Sequence, residues 1–269
     1  MEKTSAFRTI EISNPAFEKD HLRFMTVGTA SLAGRADICV FVPPGTDELS
    51  DLPVVILLHG VYGSAWSWAY SGGVHLQAIE MIRNGTLPNM VIAMPSDGLW
   101  GDGSAYLPHH DQNFEQWISK DVPQALKETL PQVSDQSAFF ISGLSMGGFG
   151  ALKIGVKYNQ IFKAVSAHSS ITALEQMSLF TGTDISAYRQ TDSTAESVLA
   201  TILNNKSNLP PLRFDCGDQD LLTRYNRDLH DALKGHKINH QYEEFEGRHE
   251  WPYWQKHVAR SLLFFADNL

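Results

Sequence analysis

The stretch "ISGLSMGGFG" occupies residues 141–150 of a 269-residue chain. An apolar run, "SAFFISG" (137–143), leads into it, and a helical pattern, "MGGFGALKIGVKY" (146–158), leads out of it. Gly143-Leu144-Ser145-Met146-Gly147 therefore fits the G-x-S-x-G turn between a strand and a helix. In such a turn the serine backbone is strained and its hydroxyl projects above the sheet. Side chains two residues before and after would collide, so both positions call for glycine. The N–H of Met146 falls at a helix N-terminus, where partial positive charge suits a developing anion. The plainer alternative is a packing turn, and Gly148, Gly150 and Ala151 do suit close helix–sheet contact.

Working outward, the same strand character recurs. "PVVILLHG" (53–60), "NMVIAMPSDG" (89–98), "FKAVSAHS" (162–169) and "PLRFDCGDQD" (211–220) are apolar and predict strands buried on both faces of a parallel sheet. "ADICVFVPPG" (36–45) alternates and stops at Pro43 and Pro44, and residues 7–12 and 22–27 alternate weakly. Helical patterns lie between: residues 74–85, 119–130, 146–158, 224–235 and 253–269. Strand, helix, strand, repeated, predicts one doubly wound α/β domain over 1–269, three layers with helices on both faces of a mostly parallel central sheet. Residues 170–209 are Ser/Thr/Asn-rich and break the rhythm, which predicts a lid-like insertion over the sheet edge.

Composition narrows the classes. Thirty acidic against 21 basic residues give a net charge of -9 with no Lys/Arg cluster, which argues against nucleic acid or an anionic membrane as partner. Cys39 and Cys216 each sit in an apolar run and are expected as buried thiols. "MEKTSAFRTIEIS" lacks the basic start and apolar run of a signal peptide. The longest apolar runs fall short of the roughly 20 residues that cross a bilayer. A soluble, cytoplasmic protein is expected, and assembly into homo-oligomers is left open.

A serine hydroxyl needs a base, and in this architecture the chain order is Ser, Asp or Glu, then His. Downstream histidines are His168, His230, His236, His240, His249 and His257. His249 in "FEGRHEW" follows the strand-like "HQYEEFEG" and precedes the last helix, where a loop would present a base. His230 and His257 fall in helical patterns, and His236 and His240 flank a polar turn. The acid should follow "PLRFDCG", which offers Asp218 and Asp220, while Asp215 lies within the strand. The usual spacing, three residues past the glycine, selects Asp220, with Asp218 second. The second oxyanion donor should come from the loop after "VVILLHG": the N–H of Val61, with His59 holding that loop.

"VVILLHGVYGSAWSW", "GLSMGGFGALKIG", "CGDQDLL" and "EGRHEWPYW" together resemble the esterase D-like group of the α/β-hydrolase superfamily, from about Val40 to the C-terminus. That group includes tributyrin-type, feruloyl and acetylxylan esterases, S-formylglutathione hydrolases and mycolyltransferases. The resemblance implies an α/β-hydrolase fold, Ser145 as nucleophile, His249 as base, Asp220 as acid, and the N–H groups of Val61 and Met146 as the oxyanion hole. "SAHSS" (166–170) departs from the Ser-Gly that relatives often carry there, and could reshape a pocket near His168.

The long loop "SDGLWGDGSAYLPHHDQNFEQW" (96–117) should lie on the same side of the sheet. Tyr62, Trp100, Tyr106, His168 and Trp251 are candidate pocket walls, with Trp66, Trp68, His109, His110 and Trp254 as further aromatics. Adjacent His109 and His110 point apart, so no metal site is expected, and no cofactor. The reading is a serine esterase acting on small acyl esters, of acylated carbohydrate or aromatic acids among others. Its alternatives are an acyltransferase or an S-formylglutathione hydrolase-type thioesterase with the same triad, and a silent binding protein on the same scaffold.

Overall fold

The computed structural model describes residues 5–269. The first three strands, β1 (Thr9–Ile12), β2 (Leu22–Thr29) and β3 (Gly34–Phe41), run antiparallel to their neighbours. β4 (Val54–Leu58) and β5 (Val91–Pro95) begin the parallel part, and a two-stranded hairpin, β6 (Pro108–His109) and β7 (Gln112–Asn113), stands apart. β8 (Phe139–Gly143), β9 (Phe162–His168), β10 (Leu212–Gly217) and β11 (Gln241–Phe245) complete a nine-stranded sheet in the order β1-β2-β3-β5-β4-β8-β9-β10-β11. From β5 to β11 every pairing is parallel.

The helices are α1 (Ser67–Tyr70), α2 (Val74–Arg83), α3 (Phe114–Gln116), α4 (Val122–Thr129), α5 (Met146–Lys157), α6 (Val198–Asn204), α7 (Thr223–Gly235) and α8 (Trp251–Ala266). Alternation along the central strands feeds two separate cores. Val54, Ile56 and Leu58 of β4 face a core shared with α4, α5, α6 and α7. Val55 and Leu57 face the core that holds Trp68 of α1, Ala78 of α2 and Phe265 of α8. All five residues of β4, β5 and β8 are buried, the reason their sequences are apolar but for Ser142 of β8. Each large side chain so buried contributes about 1.5–3 kcal/mol.

Three expectations need adjusting. The helix expected over 119–130 starts earlier, because α3 runs into a widened turn of π geometry at Trp117–Asp121 before α4. Pro123 supplies no N–H there to close the ordinary ladder. The last helix starts at Trp251, with Pro252 in its first turn. The segment 170–209 packs on helices and loops and not along an edge strand. The edges are β1 and β11, whereas α6 packs against α5 and α7.

His257 of α8 is buried with its ring stacked on Phe245 at 4.3 Å and near Tyr253 at 4.5 Å, and neither ring nitrogen has a hydrogen-bond partner. Burial, aided by His168, Arg260 and Lys256 and opposed by Asp215, holds this imidazole down at about 4. The unfolded chain takes up its proton first, near the ordinary 6.5, so this group's share of stability is complete above that pH and is lost as pH falls towards 4. Thermal unfolding followed from pH 4 to 7 should show this loss, on the order of 3 kcal/mol. His257→Phe, which keeps the stacking, should flatten that part of the profile.

Candidate active site

The turn after β8 places Ser145 at φ 55° and ψ -117°, a left-handed conformation rare for a residue with a side chain. The glycines on either side are enforced by crowding. A Cβ on Gly143 would come within 2.3 Å of the Gly147 carbonyl oxygen, and one on Gly147 within 2.4 Å of the Leu58 carbonyl oxygen. The strain is held by three backbone hydrogen bonds. Ser145 N–H donates to the His168 carbonyl (3.0 Å), and the N–H groups of Phe149 and Ile171 donate to the Ser145 carbonyl (3.1 and 3.2 Å).

Two loops bring the partners. His249 Nε2 lies 3.0 Å from Ser145 Oγ, and His249 Nδ1 lies 2.8 and 3.0 Å from the Asp220 carboxylate oxygens. The ring therefore donates from Nδ1 to the carboxylate and accepts the serine proton at Nε2. Asp220 is further held by the N–H of Leu222 (2.8 Å). The two loops are tied to each other by Asp218 N–H to the Phe245 carbonyl (2.8 Å) and Gln219 N–H to the Gly247 carbonyl (3.0 Å). Asp218, the second choice for the acid, is exposed, and its carboxylate accepts from Gly247 N–H at 3.2 Å. Among the described residues, the N–H groups of Val61 and Met146 have no acceptor, which leaves both free to donate to a substrate oxygen. His59 holds the first loop. Its Nδ1 donates to the Gly60 carbonyl (2.7 Å) and its Nε2 accepts from Asp97 N–H (3.1 Å).

The aromatic candidates divide. Tyr62 is 67% exposed beside Val61, and Trp100 is half-buried against His109, His110 and Tyr188. Trp251 packs edge-on to Trp68 and Trp254, and Trp254 meets the His249 ring edge-on at 5.0 Å. Tyr106 and His168 do not wall a pocket; both are fully buried. Tyr106 lies under α5 at Gly150, and its hydroxyl donates to the His59 carbonyl at 3.1 Å. His168 belongs to a buried hydrogen-bond network. Its Nδ1 donates to Asp215 (2.9 Å), and its Nε2 accepts from Ser261 (2.8 Å). Ser166 joins Ser261 (2.7 Å), Arg213 reaches Asp215 (2.7 Å), and Tyr253 donates to Asp215 (2.8 Å). Burial pushes the Asp215 carboxyl up, but His168, Arg213 and Tyr253 outweigh it and hold it at about 2. That network, and Phe180 lying 4.8 Å from the His249 ring centre, went unseen in the sequence. The one signal for the network was polar Arg213 and Asp215 inside an otherwise apolar strand.

Residues 29–265 match the model of the family described as "Putative esterase". The chain belongs to that family. The esterase is 27% identical to an acetyl esterase of Caldicellulosiruptor saccharolyticus over 237 residues, spanning 81% of this chain and 85% of that one. Among solved structures it is similar to a ferulic acid esterase (TM-score 0.80, 22% identity, 97% of this chain and 100% of that one). It is also similar to an S-formylglutathione hydrolase from Staphylococcus aureus (TM-score 0.78, 17% identity, 95% and 99%). These likenesses establish the α/β-hydrolase fold, and the family makes the chain a carboxylic ester hydrolase. No helix of the esterase, among the described residues, is long and apolar enough to cross a membrane.

Gly147→Ala should force the Leu58–His59 backbone away from the turn. We expect about 1–3 kcal/mol of lost stability by denaturant unfolding. Ester hydrolysis should fall at least about a hundredfold, since misplacing the hydroxyl by an ångström has that effect.

Proposed function

We propose that the esterase hydrolyses short-chain acyl esters of small molecules through an acyl-enzyme formed on Ser145. The observation that carries this is the unbroken line Ser145 Oγ, His249 Nε2, His249 Nδ1, Asp220 carboxylate, each step 3.0 Å or shorter. His249 takes the serine proton as Oγ attacks the ester carbonyl, then returns it to the leaving alcohol. Asp220 keeps the imidazole in the tautomer that accepts at Nε2 and stabilises the imidazolium. The negative oxygen of the tetrahedral intermediate is met by the N–H groups of Val61 and Met146, each lowering the barrier by about 3–4 kcal/mol. Water activated by the same histidine releases the acid. The 1–269 chain is taken as one α/β-hydrolase domain with 170–209 inserted. Two buried free thiols, Cys39 and Cys216, support a reducing, cytoplasmic setting.

Hydrolysis of p-nitrophenyl acetate and butyrate tests the proposal. Ser145→Ala and His249→Ala should each lower kcat/KM by about 10⁴–10⁶. Asp220→Asn should lower it by roughly 10⁴, while Asp218→Asn should stay within roughly threefold of the parent. Full activity in Ser145→Ala would refute the assignment. An added alcohol that captured most of the acyl group would make the chain an acyltransferase with the same triad.

A further inference from the structure

The segment that opens the insertion passes against the His249 ring. Leu174–Leu179 form a 3-10 turn, and Phe180 follows with its ring 4.8 Å from the His249 ring centre, the planes 30° apart. The Phe180 carbonyl accepts from the Tyr62 hydroxyl at 2.8 Å. Tyr62 adjoins Val61 in the left-handed conformation (φ 58°), and its N–H donates to the Asp102 carbonyl at 2.8 Å. The Asp102 carboxylate in turn accepts from Thr181 Oγ1 (2.7 Å) and Gly182 N–H (3.2 Å). One end of this strap is therefore fixed to the loop of the proposed oxyanion hole, and its aromatic ring lies on the base. Ser145 beneath is only 1% exposed.

An ester carbonyl attacked by Ser145 has to sit within about 3 Å of Oγ and of the two N–H donors. Its substituents must leave that point past the strap. We infer that Phe180 is a specificity-determining residue, its ring limiting the esterase to small acyl groups such as acetyl. Asp102 is the positioning residue that holds the ring there, through the strap on one side and the Val61–Tyr62 peptide on the other. This rests on the proposed function, since it takes Ser145 and His249 as the reacting groups.

The experiment compares kcat and KM for p-nitrophenyl acetate, butyrate and octanoate. The variants are Phe180→Ala, Phe180→Leu, Asp102→Ala and Asp102→Asn, with circular dichroism on each. Wild type should favour acetate. Phe180→Ala should raise the octanoate-to-acetate ratio of kcat/KM about tenfold or more, chiefly through KM for octanoate. Phe180→Leu should move it in the same direction and gives the reading if alanine unsettles the strap. Asp102→Ala should also raise the ratio, whereas Asp102→Asn, which keeps an acceptor oxygen for Thr181 and Gly182, should restore it. A general loss of structure would lower all three substrates alike and leave the ratio unmoved. Ratios within roughly twofold of wild type in the Phe180 variants and in Asp102→Ala would overturn the inference while leaving the triad standing. A wild type that hydrolysed none of the three would overturn the proposed function beneath it.

Discussion

The left-handed backbone at Ser145 is the constraint on which the other features depend. It costs on the order of 1–3 kcal/mol and persists only because its surroundings over-determine it. The parallel pairing of β8 with β9 carries on past the strand ends, where Leu144 bridges His168 and the His168 carbonyl takes the Ser145 N–H. The same turn leaves no room for a side chain at 143 or 147 and starts α5 with an N–H free to bind an anion. Strand pairing, glycine placement and the unpaired Met146 amide are thus one geometric solution.

Rigidity around that turn comes from both sides. Behind it, His168, Asp215, Arg213, Ser166, Ser261 and Tyr253 form a buried set of hydrogen bonds linking β9, β10 and α8, which Arg213 extends to Glu243 of β11. Such a network is costly half-made and stiff when complete. Beside it, the loops carrying Asp220 and His249 are hydrogen-bonded to one another before either reaches the serine. A hydroxyl, an imidazole and a carboxylate from three strand ends are therefore pre-organised, which is where much of an enzyme's advantage over solution lies.

The strand rhythm and the elbow were legible in the sequence because both are local. Apolar runs buried on two faces announce the central strands, and Gly143 and Gly147 mark a turn no other residue tolerates. Chain order and loop position pointed to His249, while preferring Asp220 to Asp218 also took the usual spacing from the glycine. What escaped depends on distant contacts. Tyr106 was an aromatic in a long loop and His168 the end of an apolar strand, and nothing local says that α5 covers one and α8 the other. Phe180 lies in a segment with no periodicity, where neither strand nor helix patterning says which way a side chain faces. The π turn before Pro123 depends on one missing N–H, too small a signal for an apolar repeat to register.

The buried network has a consequence of its own. Ser261, His168 and Asp215 repeat, atom for atom in order, the hydroxyl–imidazole–carboxylate line of Ser145, His249 and Asp220, at comparable separations. Yet all three side chains are fully buried, and the serine lies in the regular turns of α8. Matching distances alone would find two triads in this molecule. What sets one apart is a hydroxyl on a bent backbone beside a partly exposed imidazole; the other is masonry.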